Sequence, residues 1–170
     1  MATSSIAQHE DIAASLKEVM AAVCTPVSVV TAMDGDRPHG TTVSAFTSLS
    51  MAPPMVLVSL DRSSALLGII RRSGRFGVNI LGSAQSAAAT AFACKGADKF
   101  ADTPWTRVSG VPRLDGAPGW VVCDASSFVE GGDHILILGE VREAVAHDGP
   151  PLTYFRRDFG THMLLAQEHR

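Results

Sequence analysis

Charge is scarce in these 170 residues: Asp, Glu, Lys and Arg together make up 18%, and the formal net charge is only −3. So weak and slightly acidic a balance excludes a nucleic-acid binder, which would carry a strong basic excess. Disorder is excluded as well, because 46% of the chain is apolar and mean hydropathy is +0.18. Long apolar runs are missing too. Residues 55–60 and 135–138 fall far short of the ~20 residues that span a bilayer, so no membrane segment is expected. Residues 1–10 are polar and show no basic stretch followed by an apolar one, so no secretory leader is expected. Cysteine is rare, with Cys24, Cys94 and Cys123 forming an odd set without CxxC spacing. They are expected as reduced, buried thiols in a cytoplasmic protein.

Common catalytic signatures are absent as well. Gly74, Gly77 and Gly82 do not make GxGxxG, and no GxxxxGK[ST] provides a phosphate cradle. No HxxxH or HExxH spacing suggests a metal, and no GxSxG places a serine on a nucleophile elbow. Whatever this chain does, it does without a triad or a metal constellation.

What remains is one domain's length of core-rich chain, residues 1–170, with a core of about 16–160 and tails at 1–10 and 161–170. Ile12, Leu16, Val19, Met20 and Val23 make one stripe of a helix that Pro26 ends. Residues 27–33 and 39–50 are β-rich runs around Asp34-Gly35-Asp36, a hairpin signal, and Pro53-Pro54 leads into a third strand at 55–60. A short helix over 63–72, N-capped by Asp61 or Ser63, precedes a strand at 75–81 and an Ala-rich helix at 85–93. Residues 94–118 read as a long loop with one short strand. Residues 119–129 and 135–146 form a second hairpin, and a short segment at 152–155 leads to an irregular tail. About six strands joined mostly by hairpins predict a mainly β fold, an antiparallel barrel with flanking helices.

The most informative segment is Pro38-His39-Gly40-Thr41-Thr42-Val43-Ser44-Ala45-Phe46-Thr47-Ser48-Leu49-Ser50. Small hydroxyl residues on such a strand leave room for a flat ligand and offer it backbone and hydroxyl groups. By composition alone it is equally an ordinary Thr/Ser-rich edge strand.

Residues 39–50 followed by 53–60 resemble the signature of the short-chain flavin reductases, FMN-binding split-barrel proteins that serve two-component monooxygenases. Gly74-Arg75-Phe76-Gly77-Val78-Asn79-Ile80-Leu81, Asp98-Lys99-Phe100, Gly131-Gly132-Asp133-His134 and Pro151-Leu152-Thr153-Tyr154-Phe155-Arg156 extend the resemblance in order, from about residue 16 to 160. The chain departs from the pattern at Pro26, where relatives often have Gly, and at Leu66, where they often carry an aromatic.

The resemblance implies a Greek-key-like split barrel, a homodimer, and hydride transfer from NADH or NADPH to FMN or FAD. Reduced flavin would then diffuse to a partner oxygenase. It places Pro38, His39, Gly40, Thr41, Thr42, Ser44 and Ala45 along the flavin ring and ribityl chain. Ser59, Leu60 and Asp61, with Ser64, Ala65 and Leu66, would approach the ribityl and phosphate, the latter at a helix N-terminus that favours an anion. Ala91 and Phe92 would touch the phosphate or adenine side. Tyr154, Phe155, Arg156 and Arg157 resemble the segment that holds NAD(H), with Lys99 a further candidate for the phosphate. His134 would assist hydride transfer, since imidazole can bond the nicotinamide carboxamide or manage a proton near neutral pH. Asp133 is the natural group to hold its ring, although neighbours on a strand point to opposite faces. A non-catalytic flavin-binding module of the same fold, carrier or sensor, is the alternative, and a purely structural barrel a third possibility.

Overall fold

The computed structural model describes residues 2–96 and 98–164. A helix, α1 (Ala2–Ala21), leads through the two-residue β1 (Thr25–Pro26) into β2 (Ser28–Asp34) and β3 (Arg37–Val43). β4 (Phe46–Met51), β5 (Pro54–Asp61), α2 (Ala65–Ser73) and β6 (Arg75–Ile80) follow. A 3-10 turn at Ser83–Gln85 runs into α3 (Ser86–Ala93), then β7 (Trp105–Val108) and β8 (Val111–Leu114). Two 13-residue strands, β9 (Gly119–Gly131) and β10 (His134–Ala146), precede β11 (Leu152–Phe155) and β12 (Asp158–Thr161).

Seven strands make one antiparallel sheet in the order β3-β2-β6-β9-β10-β5-β4. Its two edges, β3 and β4, are consecutive in the chain and joined by Ser44 and Ala45 alone. The sheet must therefore curl until its ends approach, and Ser59 N–H donating to the Ala45 carbonyl at 3.0 Å carries the β4–β5 pairing one residue into the crossing. This is the expected barrel, split along one seam.

Alternation of side chains places the core. Val56, Val58 and Leu60 of β5 and Ile135 and Ile137 of β10 point inward, where they meet Phe76, Val78 and the buried face of α2, namely Leu66, Leu67, Ile69 and Ile70. β2 is buried on both faces. Val30 and Ala32 join that interior, whereas Val27 and Val29 pack outside it against Ala89 and Phe92 of α3, Phe100 and Leu114. Gly74 ends α2 in the left-handed conformation (φ 69°), its N–H closing on the Ile70 carbonyl.

Several expectations are corrected by the described residues. Among the described residues there are twelve strands, not about six. The run at 39–50 is broken at Ser44 and Ala45, because the chain crosses the seam there. Residues 94–118 contain a β7–β8 hairpin, which Asn79 recruits to the barrel. Its buried amide accepts from Leu114 N–H at 2.8 Å and donates toward the Pro112 carbonyl at 3.4 Å, and Thr31 Oγ1 donates to that carbonyl at 2.7 Å. The segment after 155 is not irregular, since β12 pairs with β11; residues 165–170 of the expected tail lie outside the described residues. α1 begins at Ala2, inside the expected N-terminal tail, and stops at Ala21, ahead of Pro26. Its apolar stripe is exposed, with Val19 at 63%. Cys24 and Cys94 are exposed, and Cys123 alone is buried, its thiol pushed up to about 12 mainly by burial. Among the described residues no helix is long and apolar enough to cross a membrane.

Candidate functional site

A cavity of about 690 Å³ opens on the seam, a size common among small-molecule sites. Residues 37–43 of β3, the Ser44–Ala45 crossing, the end of β5, the start of α2, the loop after α3 and His134 form its walls. Because β3 is an edge strand, its outer row of backbone groups is not taken by a neighbouring strand.

α3 buttresses that edge from behind. Thr42 Oγ1 donates to the Ala89 carbonyl at 2.6 Å. Gly40 is obligatory for the same packing, since a Cβ there would lie 2.8 Å from the Phe92 ring and 3.3 Å from the Val30 carbonyl. Lys99 Nζ donates to the Phe92 carbonyl at 2.8 Å and to the Gly40 carbonyl at 3.3 Å, tying the helix end to the strand. Burial, then the neighbouring Arg37, holds the His39 imidazole below its usual range. Together these contacts fix β3 as a rigid rail.

The opposite wall carries His134, the first residue of β10, paired in register with Asp61 of β5. Its turn is not loose. Arg62 N–H donates to the Asp133 carbonyl at 3.0 Å, Arg62 Nε donates to the Gly132 carbonyl at 2.6 Å, and its guanidinium pairs with Glu130. Gly132 takes φ 70° there, a conformation that glycine adopts without strain. Asp133 lies in the turn and not on the strand, so strand alternation does not apply, and its Oδ1 sits 2.8 Å from His134 Nδ1. That hydrogen bond holds the Asp133 carboxyl below its ordinary range. At the head of α2, Asp61 Oδ1 accepts from both Ser63 N–H and Ser63 Oγ–H at 2.6 Å, which lowers the Asp61 carboxyl in turn.

Fifteen of the candidate site residues singled out in sequence therefore meet in one cavity: Pro38 to Thr42, Ser44, Ala45, Ser59 to Asp61, Ser64 to Leu66, Lys99 and His134. The others do not. Phe92 is fully buried and supports Gly40 from beneath, so it does not reach the cavity surface. Ala91 is exposed on α3 but outside the lining. Tyr154 to Arg157 sit at the β11–β12 turn beside α1, with Arg156 N–H on the Ala21 carbonyl at 2.7 Å and Arg157 paired to Glu18. Within one chain none of them lines the cavity. Cys94, Lys95 and Arg37 also line it, and sequence reading missed them. Only the Asp98-Lys99-Phe100 block hinted at that loop.

Ser44 is exposed in the crossing, on the cavity wall. Leucine there should fill the cavity mouth and strongly weaken binding of the flavin that the resemblance implies. Alanine, losing one hydrogen bond of about 0.5–1.5 kcal/mol, should be milder. Flavin titration of both variants checks this, and wild-type affinity in the leucine variant would misplace the ligand. Thr42, its hydroxyl proton spent on Ala89, should act on affinity through the rail's position.

Residues 20–162 match the flavin reductase like domain family. Over 147 residues the chain is 41% identical to the reductase component of 4-nitrophenol 4-monooxygenase/4-nitrocatechol 2-monooxygenase from Rhodococcus opacus, covering 86% of this chain and 80% of the relative. It is 38% identical over 153 residues to the NADH:riboflavin 5'-phosphate oxidoreductase of Streptomyces pristinaespiralis, covering 86% of each. The solved NADH:FAD oxidoreductase SgcE6 of Streptomyces globisporus C-1027, in complex with NAD and FAD fragments, superposes with a TM-score of 0.85 at 30% identity. That match covers 89% of this chain and 93% of that one.

Proposed function

The chain belongs to the flavin reductase like domain family, and from that premise we propose that its seam cavity takes FMN or FAD and NADH or NADPH in turn, yielding reduced flavin for a monooxygenase component. Flavin supplies the electron chemistry by accepting hydride from the nicotinamide, and the protein supplies orientation and electrostatics. The observation that carries this reading is the pairing of two unlike walls in one cavity. A strand edge rich in hydroxyls and flanked by cations suits a flavin and its phosphate. Across from it stands a histidine whose ring is held by a carboxylate, suited to orient a nicotinamide carboxamide. No covalent protein nucleophile is required. A cytoplasmic setting, where NAD(P)H is at hand, accords with it.

A steady-state assay of the four nicotinamide and flavin combinations tests the proposal. NAD(P)H oxidation that depends on added flavin is the expected result. A protein that binds flavin without turnover would instead be a carrier or sensor of the same fold.

The working unit we propose is a homodimer. The exposed stripe of α1 and the exposed Tyr154, Phe155 and Phe159 offer apolar surface to cover, and a second copy is the means by which Arg156 and Arg157 could approach a cavity they avoid in their own chain. Such an obligate interface buries more than ~2,000 Å². Sedimentation should give twice the 17.9 kDa chain mass; an active monomer at micromolar concentration would refute it.

A further inference from the structure

We propose that Arg62 is a positioning residue for His134: by bonding the Gly132 carbonyl it selects one of two turns open to the β9–β10 hairpin, and only that turn delivers the Asp133 carboxylate to the imidazole. The inference rests on the reading of His134 as the group that orients the nicotinamide. Gly131 and His134 pair across the hairpin, so Gly132 and Asp133 are its two central residues. Gly132 takes φ 70°, whereas Asp133 does not have a positive φ. A positive φ at the first central position alone marks a type II′ turn. Type I′ differs from it by a flip of the central peptide and needs positive φ at both positions. Hairpin twist accepts either turn. So does this sequence, since glycine takes both conformations and aspartate tolerates the left-handed region better than most residues. Nothing in the two central residues themselves therefore fixes the peptide.

Arg62 fixes it. Its Nε donates at 2.6 Å to the Gly132 carbonyl, the oxygen that a flip would swing to the opposite face. Glu130 pairs with the guanidinium and steadies the fork. The Arg62 N–H on the Asp133 carbonyl docks the turn without the side chain, so the side chain governs the peptide's orientation and not its attachment. The Asp133 carboxyl is held low by the His134 bond first and, to a smaller degree, by its own backbone N–H. A flip would turn that N–H to the other face and tilt the Cα–Cβ bond, carrying Oδ1 away from His134 Nδ1. Arg62 also follows Asp61 directly, in the segment that opens α2, so one residue joins the two strands' ends to the helix wall of the cavity.

The experiment reads the His134 ring itself. An ionised Asp133 keeps the ring proton on Nδ1, and nitrogen NMR shifts of the imidazole report that tautomer without turnover. Arg62→Met keeps the side chain's length and removes every donor, while Arg62→Lys keeps the charge and a donor. At a pH where the ring is neutral, Arg62→Met should move the proton toward Nε2, as Asp133→Ala does, and Arg62→Lys should restore it. The kcat/KM for NADH should fall about two- to fivefold in Arg62→Met, matching Asp133→Ala. The double variant should fall no further, because both changes cut one chain of contacts. Flavin affinity and Tm should stay near wild type, since the exposed pair with Glu130 contributes little to stability and the backbone dock remains.

An unchanged tautomer in Arg62→Met would overturn the proposal, and so would losses that add in the double variant. Flavin affinity falling together with Tm would overturn it too, making Arg62 a scaffold residue of the cavity. Either result leaves the reading of His134 standing if His134→Ala still slows flavin reduction. Unchanged reduction in His134→Ala would instead end that reading, and the role of Arg62 with it, whatever the tautomer does.

Discussion

Alanine at position 134 is expected to lower kcat/KM for NAD(P)H by about tenfold to a hundredfold, with flavin affinity nearly unchanged. That span corresponds to an orienting hydrogen bond of about 1.5–3 kcal/mol made to the nicotinamide. The proton position follows from the neighbour. Asp133 is held ionised by its bond to the ring, and an ionised carboxylate only accepts, so His134 Nδ1 carries the proton it donates. In the neutral ring Nε2 is then a lone pair able to accept from a carboxamide N–H. Asp133 itself is 92% exposed, so solvent screens its contribution. Asp133→Ala should cost only about two- to fivefold in kcat/KM. Stopped-flow reduction of bound flavin by NADH decides the matter. An unchanged reduction rate and unchanged NADH saturation in His134→Ala would leave the imidazole as a turn residue.

Gly139 is where the barrel tolerates least. It sits in β10 at a register shift, opposite Ala125 of β9 and Val56 of β5. A Cβ there would lie 2.5 Å from Cζ of the fully buried Phe76 and 2.9 Å from the Cβ of Cys123. Neither neighbour can swing into solvent, so the strand or the ring must move. Gly139→Ala should therefore cost about 3 kcal/mol, at the upper end of ordinary overpacking. For a chain of this size that lowers Tm by roughly 6–12 °C. Phe76→Leu in the same chain should recover part of the loss, with a coupling energy of about 1 kcal/mol or more. Thermal unfolding of the two single variants and the double variant measures it. Additive losses would show that the shifted strand, not the ring, absorbs the methyl group.

Most strands were legible because their physics is local. The alternation in residues 55–60 and 135–138 and the Asp-Gly turn after β2 state their own periodicity. The split at Ser44 and Ala45 was not, because it is set by where the sheet's ends meet, and residues 39–50 read as one uninterrupted β run. The β7–β8 hairpin was missed for a similar reason: its anchor, Asn79, lies in another strand and reads as one polar residue in an apolar run. The resemblance grouped residues of β3, β5 and α2, and these line one cavity. Arg62 escaped notice altogether, since nothing in an arginine after a strand announces that it will clamp a turn about seventy residues later. Phe92 looked like a ligand contact only through the resemblance, and its ring is instead fully buried beneath Gly40.

The seam has a consequence for traffic. An occupant lying along the free edge of β3 displaces no hydrogen bond of the barrel when it arrives and breaks none when it departs. At the proposed site, exchange of oxidised for reduced flavin would need no door, hinge or unfolding step, and contact strength would set the residence time. Amide protons around Gly40 and Thr42 should therefore keep the timetable of its passage, while those deep in β6 and β9 slow only by as much as the bound flavin stabilises the whole fold.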